Sequence, residues 1–241
     1  DGPPNGEYTF KHILIRDTVH SSLLKGTRAQ LHTAVAHWYE ENALQDSEPP
    51  FALLAYHYEQ TDDHEKQRFY FTQAGQQAAE GYANEEASIL ITKALALTTD
   101  PAERLRLLLE RERVCGLMGD RPQQRADLEE ALQLTKPQQD DGQLAMVHNR
   151  LAYWQESQGD YPASHAAAEA ALEAARRAHD TRAEAESLHR IASASWRQGR
   201  FPAALEAAQA ALIASRAAGD TAREATSLTT MGIVHRSRSD L

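Results

Sequence analysis

The sequence predicts an all-α protein, a solenoid of antiparallel helix hairpins preceded by a helical bundle, and three observations carry that reading. The apolar residues are mostly Ala and Leu, with 7% aromatics and only 12 Gly in 241 residues, a composition suited to packed helices. A 40-residue period runs through the C-terminal half, where GLMGDRPQQRADLEEALQL (116–134), ESQGDYPASHAAAEAALEA (156–174) and WRQGRFPAALEAAQAALIA (196–214) align. Such self-similarity marks a repeat architecture. No window reaches ~18 consecutive apolar residues and no basic-then-apolar leader opens the chain, so it reads as a soluble piece of a longer protein.

From the N-terminus, residues 7 to 60 lie outside the 40-residue register. EYTFKHILIRDTVHSSLLKGTRAQLHTAVAHWYEEN places apolar residues at Phe10, Ile13, Leu14, Leu23, Leu24, Leu31, Val35 and Trp38, a helical spacing interrupted near Gly26. Two helices and a short turn are expected, with a third from about Phe51 to Gln60 after the Glu48-Pro49-Pro50 break. The bundle is assigned residues 1–66 and the repeats 67–241. The first repeat, over 67–97, is degenerate; NEEASILITKALAL keeps Ala87, Ala94 and Leu95 at the repeat offsets. The next, 103–138, has a helix start at Asp100, Pro101 and Glu103, but Arg111 stands where the following copy has Leu151, and Arg121 where it has Tyr161.

The hairpins over 143–179 and 183–219 carry the clearest logic. Gly119, Gly159 and Gly199 end each first helix, because glycine enters the left-handed region without penalty. Pro122, Pro162 and Pro202 then fit the first turn of each second helix, where a missing N–H costs nothing. Ala131, Ala171 and Ala211 let the helices approach, while Leu128, Leu132, Leu172, Leu205 and Leu212 fill the spaces between them. Leu151, Ile191 and Met231 share one register. In AHDTRAEA (178–185) and AGDTAREA (218–225), Thr181 with Glu184 and Thr221 with Glu224 have capping-box spacing. TMGIVHRSRSDL begins a further copy, 223–241, expected to stop near its turn. A hairpin of this kind cannot cover its own apolar face, so an exposed face at 226–241 leaves a monomer or an end-stacked dimer as the expected state.

QGDYPASHAAAEAAL resembles the turn and second helix of a tetratricopeptide repeat, through Gly159, Tyr161, Ala171 and Leu172 and then Gly199, Phe201, Ala204, Ala211 and Leu212. The resemblance implies a right-handed superhelix in a variant longer than the usual ~34 residues, with the extra length expected in the loop around Asp180. The opening segment resembles the one that follows the nucleotide-binding module in bacterial signal-transducing ATPases of the STAND class, on Phe10, Lys11, His12, Leu14, Arg16, Asp17, Arg28, Leu31 and His32. LAYHYEQ (54–60) and AGQQAAEGYANEEA (74–87) continue that likeness. It implies that His12 stands where the histidine of the MHD motif in related ATPases reads the β-phosphate of ADP, although Ile13 replaces the Asp of that motif and Asp17 follows four residues later. No GxxxxGK[ST] loop is present. ATP or ADP is therefore expected only in a larger parent, with no cofactor in this chain.

In tetratricopeptide repeats the first helix of each unit lines the concave surface, which implies inward positions at Met146, Asn149, Tyr153 and Glu156, at His189, Ser193, Trp196 and Arg197, and at Thr229, Ile233 and Arg236. The candidate partner contacts are Asn149, Tyr153, Glu156, His189, Trp196, Arg197 and Arg236; Tyr, Trp and Arg are the types that anchor interfaces. Repeats that clamp a C-terminal carboxylate use Lys and Asn on successive first helices. Here only Asn149 is suitably placed, which disfavours chaperone-tail binding.

The formal net charge of −10 disfavours nonspecific attraction to nucleic acid or an anionic membrane. Lys11, Arg16, Lys25, Arg28 and His32 do not share one helix face and sit near Asp17, Glu40 and Glu41, so a DNA-recognition helix is disfavoured too. There is no GxSxG, HExxH or CxxC, and the pairs Glu40-Glu41, Glu85-Glu86 and Glu129-Glu130 suit solvated helix faces; no enzyme is expected. His32 and His37 lie five apart, and His57 and His64 seven, so no helical metal pair forms and no metal is expected. The single Cys115 excludes a disulfide framework and fits a reducing cytoplasm. The expected role is a non-catalytic regulatory arm of a signalling ATPase that senses a protein, a peptide or a small effector. The alternatives are the repeat segment of a transcription regulator, or a stand-alone scaffold.

Overall fold

The computed structural model describes residues 13–42, 49–138 and 140–239, and all regular structure among them is α-helical. One compact unit extends to Thr99 and a second begins at Asp100.

The first unit contains α1 (Ile13–Ser22), α2 (Lys25–Asn42), α3 (Phe51–Glu59), α4 (His64–Glu80) and α5 (Asn84–Leu97). The break between the first two helices falls at Leu23 and Leu24, and Gly26, expected to interrupt, sits in the first turn of α2. There the backbone N–H groups lack intrahelical partners in any case, so a glycine is tolerated better than in a helix interior. The division expected at residue 66 falls inside α4. That helix packs against α3 and α5; the Tyr58 and Tyr70 rings stack with centroids 5.1 Å apart, and Leu54, Phe71, Ala74 and Ile91 are buried. Gly75 marks the closest approach of α4 to α5, since a Cβ placed there would lie 2.9 Å from Ile91 Cγ1.

The second unit contains α6 (Pro101–Met118), α7 (Arg121–Gln138), α8 (Asp141–Ser157), α9 (Tyr161–Arg177), α10 (Thr181–Arg197), α11 (Phe201–Ala217) and α12 (Thr221–Ser239), each packed on the next. The helices α8 to α11 have 17 residues each, and the connections 158–160, 178–180 and 198–200 are equally short. The extra length of the repeat therefore lies in the helices, each about 25 Å long at ~1.5 Å per residue, and not in the loop around Asp180. Gly119, Gly159 and Gly199 adopt φ of 76°, 79° and 73°, as the turn chemistry requires. At the other connection Gly219 has φ 67°, whereas its counterpart one period earlier, His179, holds φ 54° as a non-glycine.

The expected threonine caps are replaced by aspartates one residue earlier. Asp180 Oδ1 accepts from the Arg182 and Ala183 N–H groups, and Asp220 Oδ1 from Arg223 N–H, because a carboxylate at the N-cap serves the free donors as well as a hydroxyl and adds favourable charge at the helix start. Glu184 and Glu224 instead bind Arg176 Nε and Arg216 Nε at 2.9 and 2.8 Å, clamping the same connection in both repeats.

The core repeats with the sequence. Ala152 packs with Ala167 and Ala168 beside Leu151 and Ile191, and one period later Ala192 packs with Ala207 and Ala208 beside Ile191 and Met231. Alanine at these crossings brings the helix axes close, and the larger side chains at the flanks exclude water. Arg111, the departure in the earlier copy, forms a two-pronged ion pair with Asp127 at 2.6 and 3.0 Å; Asp127 is 1% exposed. A charged pair thus occupies, inside the α6/α7 hairpin, the places that later copies fill with Leu151 and Ala167 and with Ile191 and Ala207.

Candidate functional site

The first helices α6, α8 and α10 carry two adjoining clefts in the second unit. One, of about 350 Å³, is lined by residues of all three together with Arg121 and Gln124 of α7. The other, of about 520 Å³, lies between α8 and the start of α10. Asn149 and Arg150 line both.

Helix periodicity sets what faces the clefts. Asn149 is buried; its Nδ2 donates to Ser187 Oγ at 3.0 Å, while Oδ1 has no donor. Tyr153, one turn on, is 52% exposed, and the Arg190 guanidinium lies 4.7 Å from its ring centroid, a cation–π distance. Arg190 stands 3.6 Å from Glu186 and 3.8 Å from Glu156, too far for hydrogen bonds, and its Nε is buried without a partner. Across the cleft Arg150 Nη1 donates to the Leu109 carbonyl at 2.9 Å and to Glu112 at 2.8 Å.

Of the other candidate residues, Glu156 accepts from Ser193 Oγ. Trp196 Nε1 donates to Ser237 Oγ at 3.0 Å, tying α10 to α12, and Arg197 lies 4.5 Å from the Trp196 ring centroid. Arg236 is exposed on α12. His189 is mostly buried, and its pKa is pushed down to about 4 by loss of water around the ring and by repulsion from Arg190 and Arg223. Asn149 and Tyr153 thus meet in one cleft, whereas Glu156, His189, Trp196 and Arg197 continue along α10 and the end of α8. His12 lies outside the described residues. Arg113, Arg150 and Arg190 were not anticipated as cleft residues. A signal existed for two of them, since Arg150 and Arg190 share the 40-residue register one position after Asn149 and His189.

The first unit holds a different constellation that spacing within single helices could not reveal. His20 of α1, His32 of α2 and His57 of α3 form a chain, with His20 Nε2 3.2 Å from His32 Nε2 and His32 Nδ1 2.9 Å from His57 Nδ1. Burial lowers the pKa of His32, aided by His20 and Arg28, and lowers that of His57, aided by His32. His32 turns its two nitrogens to two different partners, so the three rings do not converge on a point. Among the described residues no group of three or more His, Cys, Asp or Glu side chains is arranged to hold a metal ion. Among the same residues no helix is long and apolar enough to cross a membrane.

No family model matches the chain, and no curated protein does. Solved structures do. A Rap protein complexed with competence and sporulation factor superimposes with a TM-score of 0.58 at 11% identity, covering 90% of this chain and 66% of that one. A STAND protein with a tetratricopeptide repeat sensor from Pyrococcus horikoshii gives a TM-score of 0.56 at 15% identity, covering 95% of this chain and 39% of that one. MamA protein gives 0.54 at 12%, covering 79% and 93%. The fold is of the tetratricopeptide type. In such a tetratricopeptide-type array the clefts above lie on the first-helix side of successive hairpins, and it is the fold alone that this likeness establishes.

Proposed function

We propose that the chain is a non-catalytic, ligand-sensing arm that binds a protein or peptide segment along the first helices α6, α8 and α10. The observation that carries this reading is Arg190: a guanidinium with five N–H donors in a partly buried cleft, stacked on an exposed tyrosine, and without a hydrogen bond among the described residues. Donors held out of water in this way favour a ligand that completes them. Tyr153, Asn149, Glu156, Trp196 and Arg197 are the remaining contacts we assign to the partner, with His189 supporting the wall and Arg236 at the far end. Two similar structures support the reading, the Rap protein complexed with competence and sporulation factor and the STAND protein with a tetratricopeptide repeat sensor.

In the parent we envisage, occupancy of the arm passes through residues 1–66 to a nucleotide-binding module of the STAND class, where His12 contacts the β-phosphate of ADP. The chain itself then needs no cofactor, and the buried thiol of Cys115 suits a cytoplasmic setting. Selection of a random dodecapeptide display library on the purified chain tests the groove. Peptides whose binding protects α8 and α10 from hydrogen exchange, and is lost in Tyr153→Ala, are the expected result; failure to enrich any peptide, or protection confined to α9 and α11, refutes it. Calorimetry of ADP binding to a chain that includes the nucleotide module, with and without His12→Ala, tests the sensor: equal affinity removes that role.

A further inference from the structure

The chain is strongly acidic overall, with a formal net charge of −10, yet the cleft of about 350 Å³ is lined by Arg113, Arg121, Arg150 and Arg190 against only Glu112 and Glu186. The two glutamates are already engaged. Glu112 accepts from Arg150 at 2.8 Å and from Gln124 Nε2 at 2.6 Å, and Glu186 faces Arg223 at 3.4 Å and Arg190 at 3.6 Å. Arg121 is held by Gln124 Oε1 at 2.9 Å. Arg113 is exposed and pairs with no carboxylate among the described residues, and Arg190, although 3.6 Å from Glu186 and 3.8 Å from Glu156, makes no hydrogen bond to either and keeps its Nε buried without a partner. Positive charge is therefore left over on one side of the cleft.

A second group calls for the opposite partner. Ser187 Oγ gives its proton to the Ala183 carbonyl at 2.8 Å, so it can only accept from Asn149, which fixes the amide with Nδ2 on Ser187 and Oδ1 free. Asn149 is 3% exposed, and a buried acceptor without a donor is costly. Its position on the lining of both clefts places that acceptor beside the arginines. The ligand that satisfies both demands must carry N–H donors and carboxylates on one short strand; a bare anion supplies only the second.

We infer that this cleft takes an acidic peptide segment. A main-chain N–H donates to Asn149 Oδ1, an Asp or Glu carboxylate accepts from Arg190 and Arg113, and an apolar side chain of the ligand rests on Tyr153. The inference rests on the groove reading above and narrows it to one chemical class.

The test uses the 241-residue chain and three fluorescein-labelled octapeptides of alternating Glu-Leu, Gln-Leu and Lys-Leu, read by anisotropy beside labelled octathymidylate. Charge-assisted hydrogen bonds predict that Glu-Leu binds about tenfold tighter than Gln-Leu, and that Arg113→Glu removes this margin. Arg113 is exposed and unpaired, so that variant should fold, with helix content checked by circular dichroism. Equal affinity for Glu-Leu and Gln-Leu overturns the inference and leaves the groove reading standing. An undiminished margin in Arg113→Glu, or octathymidylate binding as tightly as Glu-Leu, overturns it as well. No binding by any octapeptide also refutes it, and the groove reading is then judged by the library selection alone.

Discussion

Replacing His189 with Met removes a ring that the fold keeps uncharged, and the consequence appears as a change in pH dependence. The His189 pKa falls from 6.5 to about 4, because burial strips the imidazolium of water and Arg190 and Arg223 repel it. The folded state thus binds fewer protons than the unfolded chain, and stability falls as pH falls. The contribution is fully present above the unfolded value of 6.5 and is lost as pH drops towards 4. At about 1.4 kcal/mol per unit the full loss is roughly 3 kcal/mol, of which about 2 kcal/mol is gone by about pH 5. Urea unfolding in a Trp38→Phe background, followed by the fluorescence of Trp154 and Trp196, both in the same unit as His189, measures it at about pH 7.5 and about pH 5. Wild type should lose about 2 kcal/mol more than His189→Met between the two conditions, since other titrating groups are common to both and cancel. Parallel losses in the two proteins would show that His189 is solvated in the folded state and would refute the reasoning.

Gly75→Ala should destabilise the first unit by about 1–3 kcal/mol, because the new Cβ meets Ile91 Cγ1 at 2.9 Å and the Ile91 backbone nitrogen at 3.3 Å; an unchanged melting curve would mean the helices separate freely. Arg111→Met should cost about 3–5 kcal/mol by leaving Asp127 charged and buried, while Arg111→Met with Asp127→Leu should recover most of it. Denaturant titration of the three proteins decides, and a double variant no better than the single one counts against the ion-pair account. Acidification from about pH 7 to about pH 5 should loosen α1, because His32 and His57 are held below the usual histidine range and a doubly protonated chain of three rings cannot keep both N···N hydrogen bonds. The protection factors of Thr18 to Ser22, corrected for the intrinsic pH dependence of amide exchange, should fall over that interval in wild type and stay constant in His20→Gln.

Most of the fold was legible along the chain because each hairpin is local. A glycine that must take positive φ, a proline in the following first turn and alanines at the crossing all act within 20 residues of one another, and their recurrence announces stacking. The departures from that reading are local as well. Gly26 reads as a breaker only if its place within the helix is unknown, and Thr181 and Thr221 compete for the cap with Asp180 and Asp220, one residue away and equally good acceptors. The extra length of the repeat reads as loop in the sequence and is helix in the structure, because composition does not distinguish one more helical turn from a longer polar loop at AHDTRAEA.

The candidate site was legible only in outline. The repeat register determined that Asn149 and Tyr153 share a face with later first-helix residues, and that Arg150 and Arg190 are equivalent, since both statements depend on helical period alone. Whether a side chain has already found its partner is a property of packing. Arg111 and Arg113 are two residues apart on one helix, and only the tertiary arrangement gives the first a buried Asp127 and leaves the second without a carboxylate. The same holds for His20, His32 and His57, which lie on three helices and come within hydrogen-bond reach only in space. Sequence by itself determined the helices, their hairpins and their period; tertiary structure alone decided which polar groups are satisfied, because hydrogen bonds and ion pairs act over a few ångströms of space and not along the chain.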